Sequence, residues 1–370
     1  NNLNNSVNFL VRIAYSWCIV PIVFLYPSYI ISYSVNSLLF DDCFLSLQSL
    51  KKIMMKKILF FLLLCSFVGQ GQNSICIGKR IEIASDDDIT RSVLVYLPPS
   101  YHDSSLKPTK YPVVYLLDAE ANFNYFATLM EKLSQGIPNV PEMIIVGIQT
   151  SKRETDFTTN NDAFWKLITT SVIPSIKNEY RCNNFSIVVG HSLGGLAVAY
   201  ALNNYTNYFN VYMAHDPSLW WEDNSGLKLF EDNKQKNFKG RHLYLSYSGE
   251  KVRHNGRSRH HEAIEGLLSL LKEGGCKDLQ TYFKEYPNEN HGTVQIMANI
   301  DFFRMLFAEM FIDRNEIEAN PMVIKERYKA LSEKLGYEFK PTEKYLKNTA
   351  KWLQKNGKEA EAKAVLSINK

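Results

Sequence analysis

Ser192 lies in the sequence "GHSLG", residues 190–194, where small residues flank a hydroxyl in the way that a nucleophile requires. The β-branched run at 186–189 predicts a buried strand, and the apolar residues from Leu196 onward predict a helix. A serine on a sharp turn between strand and helix projects its hydroxyl beyond the edge of the sheet, and the glycines prevent backbone clashes. The pattern therefore predicts a nucleophile elbow, which also needs a base, an acid and an oxyanion hole.

His291 is the predicted base. It lies in "YPNENHGTV", directly after the last apolar strand pattern and before the final long helix pattern. In proteins with this elbow the chain order is serine, acid, histidine, and the histidine follows the eighth strand. A neutral imidazole at this position would take the Ser192 proton during attack and return it to the leaving alcohol.

The acid is predicted to be Glu250, with Asp216 as the alternative. Glu250 follows the strand pattern "RHLYLSYSG", which is the seventh-strand position from which this arrangement draws its carboxylate. Asp216 ends the preceding strand pattern, "FNVYMAHD", and could instead cap the turn that begins at Pro217. A serine–histidine dyad without a carboxylate stays open as a third arrangement.

Two backbone N–H groups are expected to form the oxyanion hole. One belongs to Leu193, immediately after the nucleophile. The other is expected from Ala119 or Glu120, in the segment "LLDAEANFNYF". This segment is predicted to form the loop after the third strand. These donors would face the negative charge that develops on the substrate carbonyl oxygen.

Aromatic residues are candidates for the substrate pocket, although they could equally be packing residues. The segment "DPSLWWEDN" leaves the sixth strand and is expected to cross above Ser192. The candidates are Trp220, Trp221, Phe123 and His191.

Other charged and metal-binding residue types give weaker patterns. Arg153 and Asp156 in "SKRETDF" are expected to form a structural ion pair. His260 and His261 are adjacent, so on a helix they point about 100° apart and make poor joint ligands. No metal and no cofactor are predicted. Of the six cysteines, Cys18, Cys43 and Cys65 precede the expected cleavage point of the signal peptide. The other three, Cys76, Cys182 and Cys276, are too few and too far apart for a disulfide framework, and they allow at most one pair in an oxidising compartment.

The alternation of strand and helix patterns predicts the fold class. Apolar strand-length runs rich in Val, Ile, Leu and Tyr are separated by amphipathic helical segments, which favours a mostly parallel sheet covered by helices on both faces. The sequence therefore predicts a three-layer α/β sandwich with Ser192 near its middle. The predicted strands are 91–99, 111–118, 142–149, 185–190, 209–216, 241–250 and 279–287.

Four segments are predicted along the 370 residues. Residues 54–71 have a basic start, an apolar stretch and small residues, which is typical of a secretory signal peptide, so a secreted or periplasmic location is expected. Residues 1–53 are interpreted as upstream sequence translated in error, with a membrane segment at 11–40 as the alternative. Residues 72–313 form the catalytic domain. Residues 314–370 form a helical tail that resembles one tetratricopeptide helix pair, too short for an array.

Composition excludes one class of partner. The formal net charge is +4, with acidic and basic residues interleaved, so no nucleic-acid footprint is present. The mature chain is expected to have no membrane span. A small-molecule or glycan-linked ester is the expected partner, while a protein partner at the tail is less favoured.

Five blocks in order resemble the putative esterase family of α/β-hydrolases, which includes esterase D, siderophore esterases and feruloyl or acetyl esterases. The blocks are "YLPPSY", "KYPVVYLLDAE", "GHSLGG", "DPSLWW" and "NHGTV", and the similarity runs from about residue 76 to 312. The resemblance implies an α/β-hydrolase fold, with Ser192 as nucleophile, His291 as base, and backbone donors at Glu120 and Leu193. One departure is Ala119, which stands where members often have glycine.

The expected function is therefore that of a serine carboxylic-ester hydrolase that forms an acyl-enzyme. An acyltransferase would use the same intermediate, so it stays open. A binding or scaffold protein on a hydrolase fold is a further alternative, but an intact serine, histidine and acid favour an enzyme. The sequence does not identify the ester.

Overall fold

A computed structural model describes residues 54–57, 76–84, 90–249 and 258–369. Residues 1–53, most of the predicted signal peptide and Glu250 lie outside these ranges. Within the described part of the chain, no helix has both the length and the apolar character needed to cross a bilayer.

Eight strands form one sheet in the order β1-β2-β4-β3-β5-β6-β7-β8. The strand β2 runs antiparallel to both of its neighbours, and the strands from β4 to β8 are parallel. The predicted strands are all present, and β1 is an additional edge strand that the pattern of continuous apolar runs did not predict. The strands are β1 (Lys79–Ala84), β2 (Thr90–Tyr96), β3 (Tyr111–Leu116), β4 (Ile144–Ile148), β5 (Cys182–His191), β6 (Val211–His215), β7 (His242–Ser248) and β8 (Gln280–Tyr286).

Helices cover both faces of this sheet. They are α1 (Ala119–Ser134), α2 (Arg153–Phe157), α3 (Asn161–Leu167), α4 (Ile173–Glu179), α5 (Leu193–Asn204), α6 (Trp221–Asp232), α7 (Arg259–Lys272), α8 (Val294–Leu306), α9 (Arg314–Ala319), α10 (Val323–Leu335), α11 (Glu343–Lys355) and α12 (Glu359–Ser367). A π-helical turn at Ile168–Val172 joins α3 to α4. Pro174 lies just after this turn. Proline has no N–H to donate to a carbonyl of the preceding turn, so the regular α-helical hydrogen bonding is interrupted at this point.

The central strands divide their side chains between two cores. On β3, Val113 and Tyr115 belong to one core, while Val114 and Leu116 belong to the other. This alternation follows from the two-residue period of a strand, and it requires an apolar cover on each face. The predicted three-layer α/β sandwich with a mostly parallel sheet is confirmed.

The C-terminal helices complete one of these cores. Leu331, Phe339 and Leu353 are buried in the same cluster as Phe185 of β5 and Phe307. The ring of Phe339 lies 5.0 Å from that of Phe185 and 5.8 Å from that of Phe307. The tail therefore packs directly on the central sheet. Its tetratricopeptide character stays a prediction.

Replacing Phe339 with alanine is expected to destabilise the whole domain. The side chain is 8% exposed and fills the space between the tail and strand β5. The free energy of unfolding should fall by about 3 to 5 kcal/mol, as measured by urea denaturation followed by circular dichroism. The matched control is Phe311→Ala, because Phe311 is 52% exposed. Equal losses in the two variants would contradict a core shared by the tail and the sheet.

Candidate active site

The turn at Ser192 has the strained geometry of a nucleophile elbow. Ser192 has φ 60° and ψ −119°, a conformation that residues with a side chain rarely adopt. It connects β5 directly to α5. Gly190 permits this close return, since a Cβ there would lie 2.3 Å from the carbonyl oxygen of Gly194. The hydroxyl is thereby presented at the carboxyl edge of the parallel strands.

The backbone of Ser192 is held by the segment that follows β6. Its N–H donates to the carbonyl of His215 at 3.0 Å, and its carbonyl accepts from the N–H of Ser218 at 3.0 Å. The Ser218 hydroxyl lies 3.4 Å from the Ser192 hydroxyl. The "DPSLWW" block thus helps to hold Ser192 through its backbone, which the sequence pattern did not reveal.

His291 lies beside Ser192, in the turn between β8 and α8. Its Nε2 is 2.9 Å from Ser192 Oγ, and its Nδ1 is 2.7 Å from Asp216 Oδ2. A carboxylate can only accept, so Nδ1 carries the proton and Nε2 is available to accept from the hydroxyl. The predicted pairing of Ser192 with His291 is present in the structure.

His191 holds the turn that contains His291 through a hydrogen bond to its backbone. Its Nε2 donates to the His291 backbone carbonyl at 2.6 Å, and the two rings lie 4.7 Å apart. Burial, together with the neighbouring His291, lowers the pKa of His191 to about 4. A neutral His191 is therefore the form that holds this turn.

Asp216 is the carboxylate that contacts His291. Besides the His291 bond, it accepts from the N–H of Ser248 at 3.0 Å, from the Ser248 hydroxyl at 2.8 Å and from His260 Nε2 at 2.7 Å. Burial by itself would raise the pKa of Asp216, but the hydrogen bonds from His260 and His291 outweigh it and hold this pKa far below its usual range. The favoured sequence candidate, Glu250, lies outside the described residues.

Two helices begin next to Ser192. Strands β3 and β5 are paired, and the N–H of Leu117 donates to the carbonyl of Val189 at 2.9 Å. Helix α5 starts at Leu193 and helix α1 starts at Ala119 and Glu120, so the predicted loop is in fact the first turn of a helix. The first N–H groups of a helix have no acceptor within it and carry a partial positive charge. The backbone N–H groups of Leu193, Ala119 and Glu120, which are the predicted oxyanion donors, therefore all lie in the first turn of a helix.

An ion pair fixes the start of helix α1. Asp118 has the left-handed φ of 53°, and Arg153 donates to both of its carboxylate oxygens, at 2.6 and 2.9 Å. Arg153 also donates to the carbonyl of His191 at 3.3 Å. The predicted pairing of Arg153 with Asp156 is wrong, because Asp156 pairs with Arg91 at 2.9 Å. Arg153 and Asp156 lie on helix α2, but each pairs with a residue from a distant part of the chain, so spacing along the sequence could not reveal the partners.

A buried polar network joins four elements around the site. His215 Nδ1 accepts from the Ser246 hydroxyl at 3.0 Å, and its Nε2 donates to the Asn299 side-chain oxygen at 2.9 Å. Asn299 in turn donates to the hydroxyl of Tyr125 on helix α1 at 3.1 Å. Burial lowers the pKa of His215 to about 3, so it stays neutral. No sequence motif marks these residues, which tie β6, β7, α8 and α1 together.

The aromatic pocket candidates occupy different environments. Trp220 and Trp221 are half-buried, with their rings 5.9 Å apart, and both pack on the core next to the elbow. Phe123 is 4% exposed and packs against Gly147 of strand β4. Cys76, Cys182 and Cys276, which lie in the described part of the chain, are unpaired thiols.

Comparison with known proteins relates this chain to esterases. The sequence model of the family described as "Putative esterase" matches residues 88–254. The chain is 25% identical to the ferri-bacillibactin esterase BesA of Bacillus subtilis over 253 residues, which are 59% of this chain and 85% of that protein. The predicted resemblance to this esterase family is confirmed, and the relatives support a hydrolase that acts on ester bonds.

Solved structures extend the comparison to the fold. An IroE-like serine hydrolase from Shewanella oneidensis superposes with a TM-score of 0.70 and 28% identity, covering 79% of this chain and 98% of that one. The siderophore hydrolase EstB of Aspergillus nidulans has a TM-score of 0.54 and 21% identity, covering 63% and 94%. The second likeness concerns the fold alone.

Replacing Gly190 with alanine is expected to disrupt the elbow. The new methyl group would meet the backbone of Gly194, which cannot move without shifting the start of helix α5. The free energy of unfolding should fall by about 3 kcal/mol, as measured in urea. The control is Gly292→Ala, where the nearest atom to the new methyl is a side-chain oxygen at 3.4 Å. A well-folded Gly190→Ala variant with unchanged stability would contradict the close return of the chain.

Proposed function

We propose that this protein is a serine carboxylic-ester hydrolase with Ser192 as nucleophile, His291 as general base and Asp216 as the carboxylate that orients His291. The observation that carries the proposal is the continuous hydrogen-bonded series from Ser192 Oγ to His291 Nε2 at 2.9 Å and from His291 Nδ1 to Asp216 Oδ2 at 2.7 Å. In this series Asp216 accepts from His291 Nδ1, and Nε2 faces the Ser192 hydroxyl, which is the arrangement that general-base catalysis uses.

The acylation step uses His291 first as base and then as acid. Ser192 Oγ attacks the ester carbonyl carbon while its proton moves to His291 Nε2. The resulting imidazolium lies against the Asp216 carboxylate, whose charge stabilises it. The tetrahedral intermediate then expels the alcohol, which takes the proton from Nε2 and leaves an acyl group on Ser192.

The second half of the reaction releases the acid. A water molecule gives its proton to His291 Nε2 and attacks the acyl carbon. Collapse of the second tetrahedral intermediate returns the proton to Ser192 Oγ and frees the carboxylic acid. In both halves the negative oxygen would be bound by the N–H of Leu193 and by that of Ala119 or Glu120, which lie at the starts of two helices.

Asp216 is proposed as the acid because of its contacts. Its carboxylate is fully buried and is held by two bonds from Ser248, so it has a fixed position from which to orient His291. Glu250, the candidate favoured from the strand order, lies outside the described residues and remains the alternative.

The substrate class proposed is the ester bond of a siderophore. The support is the curated relative named as a ferri-bacillibactin esterase, with which the chain shares 25% identity across most of that protein's length. A secreted or periplasmic location is proposed with it, on the basis of the signal-like composition of residues 54–71.

The proposed nucleophile and base are expected to act as a unit. The purified chain is offered p-nitrophenyl butyrate, methyl ferulate and a ferric trilactone siderophore, and hydrolysis of at least one is expected. Ser192→Ala and His291→Ala should each lower kcat by about 10⁴ or more, and the double variant should lose little beyond either single change. A fluorophosphonate should label Ser192. Additive losses, or no labelling of folded protein, would contradict the mechanism.

The acid is tested by a matched pair of amide substitutions. Asp216→Asn should lower kcat on an activated ester by about 10² or more, because the amide cannot hold the required His291 tautomer or stabilise the imidazolium. Glu250→Gln should change kcat little. Circular dichroism checks folding in both variants. The opposite pattern would transfer the role to Glu250, and nearly unchanged rates in both would leave a serine–histidine dyad.

A further inference from the structure

The proposed catalytic carboxylate contacts two histidines. In the described residues, Asp216, His260 and His291 each offer one ligand atom, and these three atoms all lie within 4.8 Å of one another. Proton transfer at Ser192 uses only two of these side chains. His260, the second residue of helix α7, has no step in the proposed reaction.

These donors are of the types that zinc prefers. Two imidazole nitrogens and one carboxylate oxygen make a three-ligand zinc set, to which an open fourth position is commonly added. His291 is 43% exposed, so the cluster can be reached from solvent, while the Asp216 carboxylate is fully buried. Hard cations such as Mg²⁺ favour sets made entirely of oxygen, so they fit poorly here.

The three groups are held close to the separations that zinc requires. Each imidazole nitrogen now lies 2.7 Å from an Asp216 oxygen. A tetrahedral zinc with bonds of about 2.0 to 2.1 Å keeps its ligand atoms about 3.3 Å apart, so each of these two contacts would lengthen by about half an ångström. The two imidazole nitrogens, which lie within 4.8 Å of one another, would settle at the same separation. Ser248 would continue to hold the carboxylate through its two bonds to it.

We propose that Asp216, His260 and His291 form an inhibitory Zn²⁺ site. Zinc would replace the two N–H protons that now point at Asp216, and each imidazole would carry its proton on the other nitrogen. His291 would then hold a proton on Nε2, which is the atom 2.9 Å from Ser192 Oγ. A protonated Nε2 cannot accept the serine proton, so the nucleophile would not be activated.

His260 distinguishes this site from an ordinary triad. A serine–histidine–aspartate arrangement supplies two of the ligands, which form only a weak site, and His260 supplies the third. The inhibition rests on the proposed hydrolase function, but the binding of zinc does not. The test therefore measures binding separately from catalysis.

The experiment uses the metal-free, tag-free chain and titrates it with Zn²⁺ by calorimetry, with Mg²⁺ as the comparison ion. Cobalt substitution supplies a second readout through the visible absorption of tetrahedral Co²⁺. One zinc per chain is expected, with the affinity unchanged in Ser192→Ala. In His260→Gln the affinity should fall at least about 100-fold, since loss of even an outer-shell partner costs about 10 to 100-fold.

His261→Gln is the matched control. His261 is the next residue on helix α7, and its Nε2 donates to the carbonyl of Ser248 and not to the cluster. This variant should bind zinc as the unaltered chain does. His260→Ala is a second variant in case His260→Gln does not fold, and circular dichroism checks both.

Inhibition is read from fluorophosphonate labelling of Ser192, with each variant compared with its own rate without metal. Zinc should slow labelling over the same concentration range in which it binds, and His260→Gln should resist it. A stoichiometry other than one, equal affinity in His260→Gln, or binding that leaves labelling unchanged would overturn the site. If no labelling occurs even without metal, the hydrolase proposal fails, and calorimetry and the cobalt spectrum still decide the zinc site.

Discussion

The site depends on one buried negative charge. Burying a carboxylate costs several kcal/mol unless donors compensate for the lost water. Asp216 receives its donors from three elements, namely strand β7 through Ser248, helix α7 through His260 and the β8–α8 turn through His291. Each of these donors lowers the free-energy cost of keeping the charge at this buried position. Correct assembly of this edge of the sheet and ionisation of the carboxylate are therefore linked.

Backbone strain is concentrated at the same edge. Strands β3, β5 and β6 are neighbours, and each is followed within two residues by a non-glycine residue of positive φ: Asp118 at 53°, Ser192 at 60° and Asp216 at 43°. Such conformations typically cost about 1 to 3 kcal/mol each. They persist because the neighbouring bonds are strong, such as the two-pronged contact of Arg153 with Asp118. The sheet and these bonds together hold the three strained turns next to the proposed reaction site.

Much of this arrangement could be predicted from the sequence, because local patterns encode it. Strand-length apolar runs predicted the sheet, and the glycines around Ser192 predicted the sharp turn between strand and helix. The partners of charged groups could not be predicted in the same way. Strand order favours Glu250, whereas the contact seen with His291 is made by Asp216. His260 contacts Asp216, and His215 belongs to a buried network. Both sets of contacts join residues that are far apart in the chain, so they depend on the packing of separate helices and strands.

The shared core of the tail and the sheet also has a consequence for biosynthesis. Phe185 lies on strand β5, which ends one residue before Ser192, and its cover includes Phe339 from beyond helix α10. During translation the sheet can therefore form while this face still lacks its last layer. At about 5 to 20 residues per second, the C-terminal helices follow several seconds after helix α8. In that interval the nascent domain would expose the apolar surface that the last helices later cover. Exposed surface of this kind is what chaperones bind.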